Sequence, residues 1–136
     1  NVEESFGGDV IAYIMNPNAG TMIEPNDALH LDSLLAMMEP HQKGHSGKKF
    51  KKIILVLNSG GGILEAAIKI VGIIRTYSNE FEVVVPLMAK SAATIISLKA
   101  DKLHLTPISE LGPVDPVVQS PTNPSSLKEL SLLFCE

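Results

Sequence analysis

The chain has 136 residues, of which 45% are hydrophobic and 19% are charged, and its formal net charge is −4. This length suits a single domain with one core, and the composition argues against intrinsic disorder. The mildly acidic balance gives no reason to expect a nucleic-acid partner. The lone cysteine, Cys135, excludes an intrachain disulfide. No apolar run reaches the roughly 18–20 residues that a membrane-spanning helix requires.

The sequence begins without a methionine and stops at Glu136, inside a predicted helix. We therefore expect one domain over residues 1–136 that is trimmed at its carboxyl end. The expected location is the cytoplasm, with membrane tethering by a segment outside this sequence left open.

Apolar runs and amphipathic stretches alternate through the first hundred residues, and this alternation sets the expected fold. Strands are predicted over residues 9–15, 53–57, 83–87 and 102–106. Helices are predicted from a cap at Asn26 or Asp27 to a stop at Pro40, over residues 63–77 and over residues 92–100. The basic stretch 41–52 is predicted to be a surface loop. Alternating strands and helices predict an α/β domain of right-handed βαβ units with a mainly parallel sheet.

Two later features complete the expected organisation. Five prolines fall within residues 107–126, a density that excludes helix and central strand, so a loop beside the site is predicted there. A last helix is predicted to begin near Ser125 or Ser126 and to carry Lys128. The helix over residues 63–77 is apolar on nearly all sides, which predicts burial by a sheet together with neighbours or a second subunit.

Two turns, each between a predicted strand and a predicted helix, carry the candidate chemistry. Gly60, Gly61 and Gly62 follow the second strand, and Ser91 follows the third. Parallel strands bring their carboxyl ends to one edge of the sheet, where open α/β sheets bind ligands. Backbone N–H groups at a helix start are unpaired and favour an anion or a developing oxyanion. A serine beside two such turns suggests acyl transfer by nucleophilic attack.

Neither turn is decisive by itself. A glycine run can simply permit tight packing, and a serine before a helix is most often a cap. The glycine turn matches neither a Walker A loop, because Ile63 and Leu64 follow it, nor the G-x-G-x-x-G pattern. The conjunction of both turns favours a catalytic site.

Three motifs in order resemble the ClpP/crotonase-fold serine peptidases, and most closely the serine dehydrogenase proteinase family. They are NSGGG at residues 58–62, AKSAAT at residues 89–94 and ADKLHLTPISELGPVDP at residues 100–116, and the resemblance spans about residues 9–116. It implies a ClpP/crotonase-like fold with Ser91 as nucleophile. It also implies that the Gly62 and Ala92 N–H groups bind the oxyanion, with Gly61 in the same substrate-binding turn.

The chain departs from that family pattern in three places. Gly60 stands where the family has proline, and Ala93 stands where it has glycine. No histidine follows His104, so a Ser-His-Asp triad of the Clp kind is absent. Signal peptide peptidase-like relatives use a lysine base, which must be shielded from water to lose its charge.

Lys128 is the best-placed lysine for that role, and a base beyond Glu136 or on another subunit stays open. Asp115 is expected either to orient a base or the substrate backbone, or to cap a turn. Lys90 is expected at the surface or in a subunit contact. Lys102 and His104 share one strand face and are expected at the solvent or the core edge.

The leading interpretation is a serine peptidase of the ClpP class that cleaves a peptide or protein substrate and needs no cofactor or metal. The substrate would lie extended along the strand edge near Gly60–Gly62. The protein itself is expected to form a homo-oligomer. Two alternatives share the fold: a catalytically silent peptide-binding or assembly module, and a crotonase-type acyl-CoA enzyme, which would need no serine at position 91. Labelling by a serine-directed fluorophosphonate probe separates the first interpretation from the other two.

Overall fold

The computed structural model of the protein describes residues 7–38, 50–114, 118–119 and 124–125. Its strands are β1 (Asp9–Ile14), β2 (Phe50–Asn58), β3 (Ser78–Val85), β4 (Met88–Ala89), β5 (Lys102–Leu105), β6 (Glu110–Leu111), β7 (Val118–Gln119) and β8 (Pro124–Ser125). Its helices are α1 (Pro25–Met38), α2 (Leu64–Tyr77) and α3 (Ala92–Leu98), and a 3₁₀ turn covers Pro17–Ala19.

The main sheet has four parallel strands in the order β1-β2-β3-β5. In register, Ile11 pairs with Leu55 and Leu55 pairs with Val83. Helix α2 connects β2 to its parallel neighbour β3, which is a βαβ unit. The predicted α/β class with a mainly parallel sheet is therefore confirmed.

The helices pack against one face of this sheet. Alternate residues of the central strands form the core on that face: Ile53, Leu55, Leu57, Phe81, Val83 and Val85. They contact a cluster that includes Leu35 of α1, Ile70 of α2 and Ile96 of α3, all fully buried. Ile54 points to the opposite face by alternation and is also buried, which explains why β2 is a continuous apolar run rather than an alternating one.

The predicted strand over residues 83–87 both begins and ends earlier in the structure. β3 begins at Ser78, directly after α2, and ends at Val85, and β4 is a separate strand after a bend at Pro86 and Leu87. Proline has no N–H to donate to a ladder, so the chain leaves the main sheet at Pro86. β4 pairs instead with β6.

The predicted starts of α1 and β2 were also wrong. α1 begins at Pro25, so neither Asn26 nor Asp27 is the cap; Asp27 lies in the first turn and its carboxylate accepts the Glu24 N–H at 2.7 Å. β2 begins at Phe50, inside the stretch predicted to be a loop, because pairing with β3 reaches back to Phe50 opposite Ser78.

The proline-rich segment was predicted to be a loop throughout, and it contains short strands. β6 pairs in parallel with β4, and β7 pairs antiparallel with β8. β6, β7 and β8 are each two residues long and none joins the main sheet, so the exclusion of a central strand is confirmed for the described residues of this segment. Ser125 belongs to β8, so the last helix does not begin there, and its remaining predicted residues lie outside the described ranges.

Over the described ranges, no helix combines the length and the apolar character needed to cross a bilayer.

Candidate active site

The glycine turn after β2 packs directly against Ser91. Gly61 has φ +113, and a Cβ built on it would lie 2.7 Å from the Cβ of Ser91 and 2.7 Å from the Lys90 carbonyl oxygen. A Cβ on Gly62 would lie 2.3 Å from the backbone nitrogen of Ile23. A Cβ on Gly60 would meet nothing within 4 Å. The close approach of Ser91 to Gly61 and of Ile23 to Gly62 therefore requires glycine at positions 61 and 62, whereas position 60 has space for a side chain.

Ser91 occupies a strained backbone conformation. It has φ 52 and ψ −121, and in the described part of the chain it is the one non-glycine residue with a positive φ. Such a conformation costs of order 1–3 kcal/mol and persists only when the surrounding structure imposes it. It is typical of functional sites, and one example is the turn that exposes a nucleophilic serine between a strand and a helix.

The Ser91 side chain is not a helix cap. It stands at the position before α3, yet it makes no capping hydrogen bond, and the described residues offer its hydroxyl no hydrogen-bond partner. The residue is half-buried. The simpler interpretation of this serine, as a cap, does not fit this geometry.

Backbone N–H groups on both turns lack acceptors among the described residues. Ala92 is the first residue of α3, where no intrahelical acceptor exists. Gly62 is flanked by two bonds to Ile23: the Ile23 N–H donates to the Gly61 carbonyl, and the Ile63 N–H donates to the Ile23 carbonyl, both at 2.9 Å. The Gly62 N–H thus faces the other edge of the turn. The Gly61 N–H is engaged, because it donates to Ser59 Oγ at 3.1 Å.

The downstream motif packs against the serine turn from the other side. The Gly112 N–H donates to the Ala89 carbonyl at 3.0 Å, and a Cβ on Gly112 would lie 2.7 Å from Cγ of Lys90. The Thr94 hydroxyl lies 2.8 Å from the Ala89 carbonyl and 3.0 Å from the Gly112 carbonyl. All three motifs singled out in the sequence therefore meet at the carboxyl edge of the sheet.

A family model described as ClpP-like SDH-type serine proteinase matches residues 45–132, well over half of the chain. The chain belongs to this family. The resemblance drawn from the three motifs is thereby confirmed.

Solved structures of similar fold are also proteases. The membrane-bound stomatin-specific protease 1510-N, in a serine-to-alanine variant, is 19% identical with a TM-score of 0.63, over 93% of this chain and 59% of that chain. The same protease in a lysine-to-alanine variant with a substrate peptide is 21% identical with a TM-score of 0.60, over 88% and 51%. ClpP1 from Listeria monocytogenes is 19% identical with a TM-score of 0.56, over 82% and 59%. At these identities the likeness establishes a ClpP-like fold.

One curated relative is the uncharacterized protein MJ0137 of Methanocaldococcus jannaschii, 38% identical over 80 residues. The match covers 59% of this chain and 28% of that protein. The chain thus spans little more than a quarter of that relative, and between 51% and 59% of the solved chains.

The two remaining predicted site residues, Asp115 and Lys128, lie outside the described residues. Lys90, which adjoins the serine, pairs through Nζ with Glu110 Oε2 at 2.9 Å on the exposed surface. Its hydrogen bond lowers the pKa of the Glu110 carboxyl below the ordinary value. This pairing agrees with the expected surface role of Lys90.

Sequence reasoning missed Glu82, a buried carboxylate in the middle of β3. It is 2% exposed and lies on the sheet face opposite the helices, 2.8 Å from Nε2 of His104, 3.0 Å from Nζ of Lys52 and 3.3 Å from Nζ of Lys102. Burial alone would raise its pKa, but the hydrogen bonds from these three side chains lower it to about 2. Lys102 and His104, expected only at the solvent or core edge, are partners of this carboxylate. The available signal was a single charge within the apolar run FEVVV.

Proposed function

We propose that the protein is a serine endopeptidase of the ClpP class in which Ser91 is the nucleophile. The observation that carries this proposal is the strained Ser91 turn, whose hydroxyl has no partner among the described residues and which is packed against Gly61. Family membership supports a serine peptidase, and a strained serine between a strand and a helix is the arrangement that presents a hydroxyl to a substrate carbonyl.

The Gly62 and Ala92 N–H groups are proposed to bind the oxyanion. Both lack acceptors in the described part of the chain, and they belong to the two turns that contact each other at Gly61 and Ser91. In a complex with a tetrahedral adduct of Ser91, each nitrogen should lie about 2.7–3.1 Å from the adduct oxygen. The Gly61 N–H is excluded from this role because Ser59 already accepts it.

The reaction follows from these groups and a lysine base. Ser91 Oγ attacks the peptide carbonyl carbon while its proton passes to the neutral amine of Lys128, and the carbonyl oxygen becomes the bound oxyanion. The tetrahedral intermediate then expels the amine product, which takes that proton, and leaves an acyl ester on Ser91. Water hydrolyses the ester by the same steps. Asp115 is proposed to orient the base or the substrate backbone.

The substrate is proposed to be a peptide or protein segment in extended form. Ile23 occupies one edge of the glycine turn, while the edge that carries the Gly62 N–H has no strand on it among the described residues. A peptide could add to that edge through its backbone, with little demand on side-chain identity. The solved 1510-N structure with a substrate peptide supports this class of substrate.

Fluorophosphonate labelling tests the nucleophile. The probe should label the protein at Ser91, and Ser91→Ala should abolish labelling and lower peptide cleavage by roughly 10³-fold or more without a comparable change in Tm. Ser33→Ala is the control, because Ser33 is exposed on α1 and donates only to the Leu29 carbonyl. Failure of the folded protein to label would favour the silent module or the acyl-CoA enzyme.

Lys128→Ala tests the base. If Lys128 takes the proton from Ser91, this variant should lose cleavage as completely as Ser91→Ala, and wild-type activity should rise into alkaline pH. Full activity in Lys128→Ala would exclude Lys128 as the base.

Self-association is proposed through the apolar surface of α2. Ile63, just before this helix, is 40% exposed and Ile68 within it is 55% exposed, although Ile70 and Ile74 are buried in the core. A second copy covering this surface would remove both isoleucines from water. Sedimentation at tens of micromolar protein should show an oligomer, and a monomer alone would contradict this proposal.

A further inference from the structure

Ser59 connects the two turns of the site through its backbone. It directly follows β2, is fully buried, and pairs with β4 as an isolated parallel bridge to Ala89. Its N–H donates to the Met88 carbonyl, and its carbonyl accepts the Lys90 N–H, both at 3.0 Å. The residue that begins the glycine turn is thus bonded to the residue before Ser91.

The Ser59 hydroxyl both donates and accepts a hydrogen bond inside the protein. Its Oγ accepts the Gly61 N–H at 3.1 Å and lies 3.1 Å from Met15 Sδ, to which it donates its one proton. The Gly61 carbonyl, at 3.5 Å, is the weaker acceptor. Gly61 is itself buried, so without Ser59 Oγ its N–H would lose its partner.

This hydrogen bond completes the restraint on the glycine turn. The Gly61 carbonyl is held by the Ile23 N–H at 2.9 Å and the Gly61 N–H by Ser59, so the peptide groups on both sides of Gly61 are fixed. The N–H and the carbonyl of a trans peptide point in opposite directions, so the Gly62 N–H must face away from Ile23. A glycine has many accessible conformations, and the turn would otherwise be free to rotate these peptides.

We propose that Ser59 is a positioning residue whose buried hydroxyl sets the Gly61–Gly62 peptide so that the Gly62 N–H faces the reacting carbonyl at Ser91. This inference rests on the proposed peptidase function. Ser59 does not touch the substrate; it acts through the direction of the Gly62 N–H. Loss of one preorganised oxyanion donor typically lowers turnover by about 10²–10³-fold.

Ser59→Ala, compared with Ser78→Ala, tests this proposal. Ser78 is a matched control because it is also buried and its hydroxyl donates to the Ile74 carbonyl at 2.8 Å, but it begins β3 at the opposite end of the sheet. With a fluorophosphonate probe, Ser59→Ala should lower the maximal rate of Ser91 labelling by about 10- to 100-fold with little change in probe affinity. Ser78→Ala should stay within about 3-fold of wild type.

Amide signals of the glycine turn give a second readout that does not depend on activity. In ¹⁵N spectra, Ser59→Ala should shift the Gly61 and Gly62 amides and speed exchange of the Gly61 N–H with solvent, whereas Ser78→Ala should leave both unchanged. Unchanged Gly61 and Gly62 signals in Ser59→Ala, or equal labelling by both variants, would overturn the positioning role. A wild-type protein that resists the probe would instead refute the proposed peptidase function, and the amide signals would still decide whether Ser59 sets the turn.

Discussion

Glu82 with its partners Lys52, Lys102 and His104 (the Glu82 cluster) differs from the Ser91 turn in how completely its polar groups are hydrogen-bonded. Glu82 is buried, and three side chains from β2 and β5 bind its carboxylate. Every buried side-chain nitrogen and oxygen in the described ranges likewise has a hydrogen-bond partner. Ser91 is half-buried, its backbone is strained, and its hydroxyl has no partner there. Satisfied polar groups stabilise the fold, whereas strained backbone and unpartnered polar groups are typical of functional sites.

Substitution within the glycine turn should sharpen this contrast most. Gly61→Ala places a methyl group 2.7 Å from Ser91 Cβ at a φ of +113, so we expect labelling of Ser91 to fall by roughly 10²-fold or more. The free energy of unfolding should fall by about 1–3 kcal/mol. Probe kinetics and urea unfolding measure the two effects.

Gly60→Ala provides the control in the same turn, because its methyl group would meet nothing within 4 Å. It should label at nearly the wild-type rate. Equal labelling by Gly61→Ala and Gly60→Ala would show that contact between the two turns does not matter for the serine.

The next largest effect is expected from substitution of Glu82, and it should lower the free energy of unfolding without a large change in the labelling of Ser91. Glu82→Gln removes the charge that binds Lys52, whose side chain is 15% exposed, and should lower the free energy of unfolding by about 2–3 kcal/mol. Below the melting transition, Ser91 labelling should stay within about 3-fold of wild type. Glu80→Gln is the control: its carboxylate is half-exposed and 3.9 Å from Lys52, so it should cost less than about 1 kcal/mol.

Acid should remove the contribution of Glu82 in a defined range of pH. The pKa of Glu82 is lowered in the folded protein to about 2 from the ordinary 4.5, so its charge stabilises the folded state fully above about pH 4.5. That stabilisation is lost as pH falls towards 2, where the folded protein also takes up the proton. The Tm difference between wild type and Glu82→Gln should therefore shrink as pH falls below about 5. A difference that grows on acidification would contradict this assignment.

The smallest effect is expected at Lys90, although it adjoins the nucleophile. Its ion pair with Glu110 is exposed, with side-chain exposures of 42% and 65%, so Lys90→Ala should cost less than about 1 kcal/mol. Labelling of Ser91 should remain within about 2-fold of wild type. Abolished labelling in a folded Lys90→Ala protein would make Lys90, not Lys128, the candidate base.

Local signals were sufficient to predict much of the fold and the central residues of the candidate site. Alternating apolar strands and helices indicated a parallel α/β sheet, because element type depends on periodicity within about ten residues. The glycines come just after β2, and Ser91 comes directly before α3. Each turn could therefore be recognised from its own short stretch of sequence, before any contact was known. Strand ends were less well predicted, since Pro86 divides an apolar run that otherwise reads as one strand.

The sequence by itself thus determined the family, the order of the elements and the two turns that carry Gly61 and Ser91. Only the tertiary structure decided which distant groups meet. The Glu82 cluster joins residues 52, 82, 102 and 104 through the register of β2, β3 and β5, and the bond from Ser59 to Met15 spans 44 positions. Periodicity identifies which face of a strand a residue occupies, but not the partner opposite it, because register depends on the packing of the whole sheet.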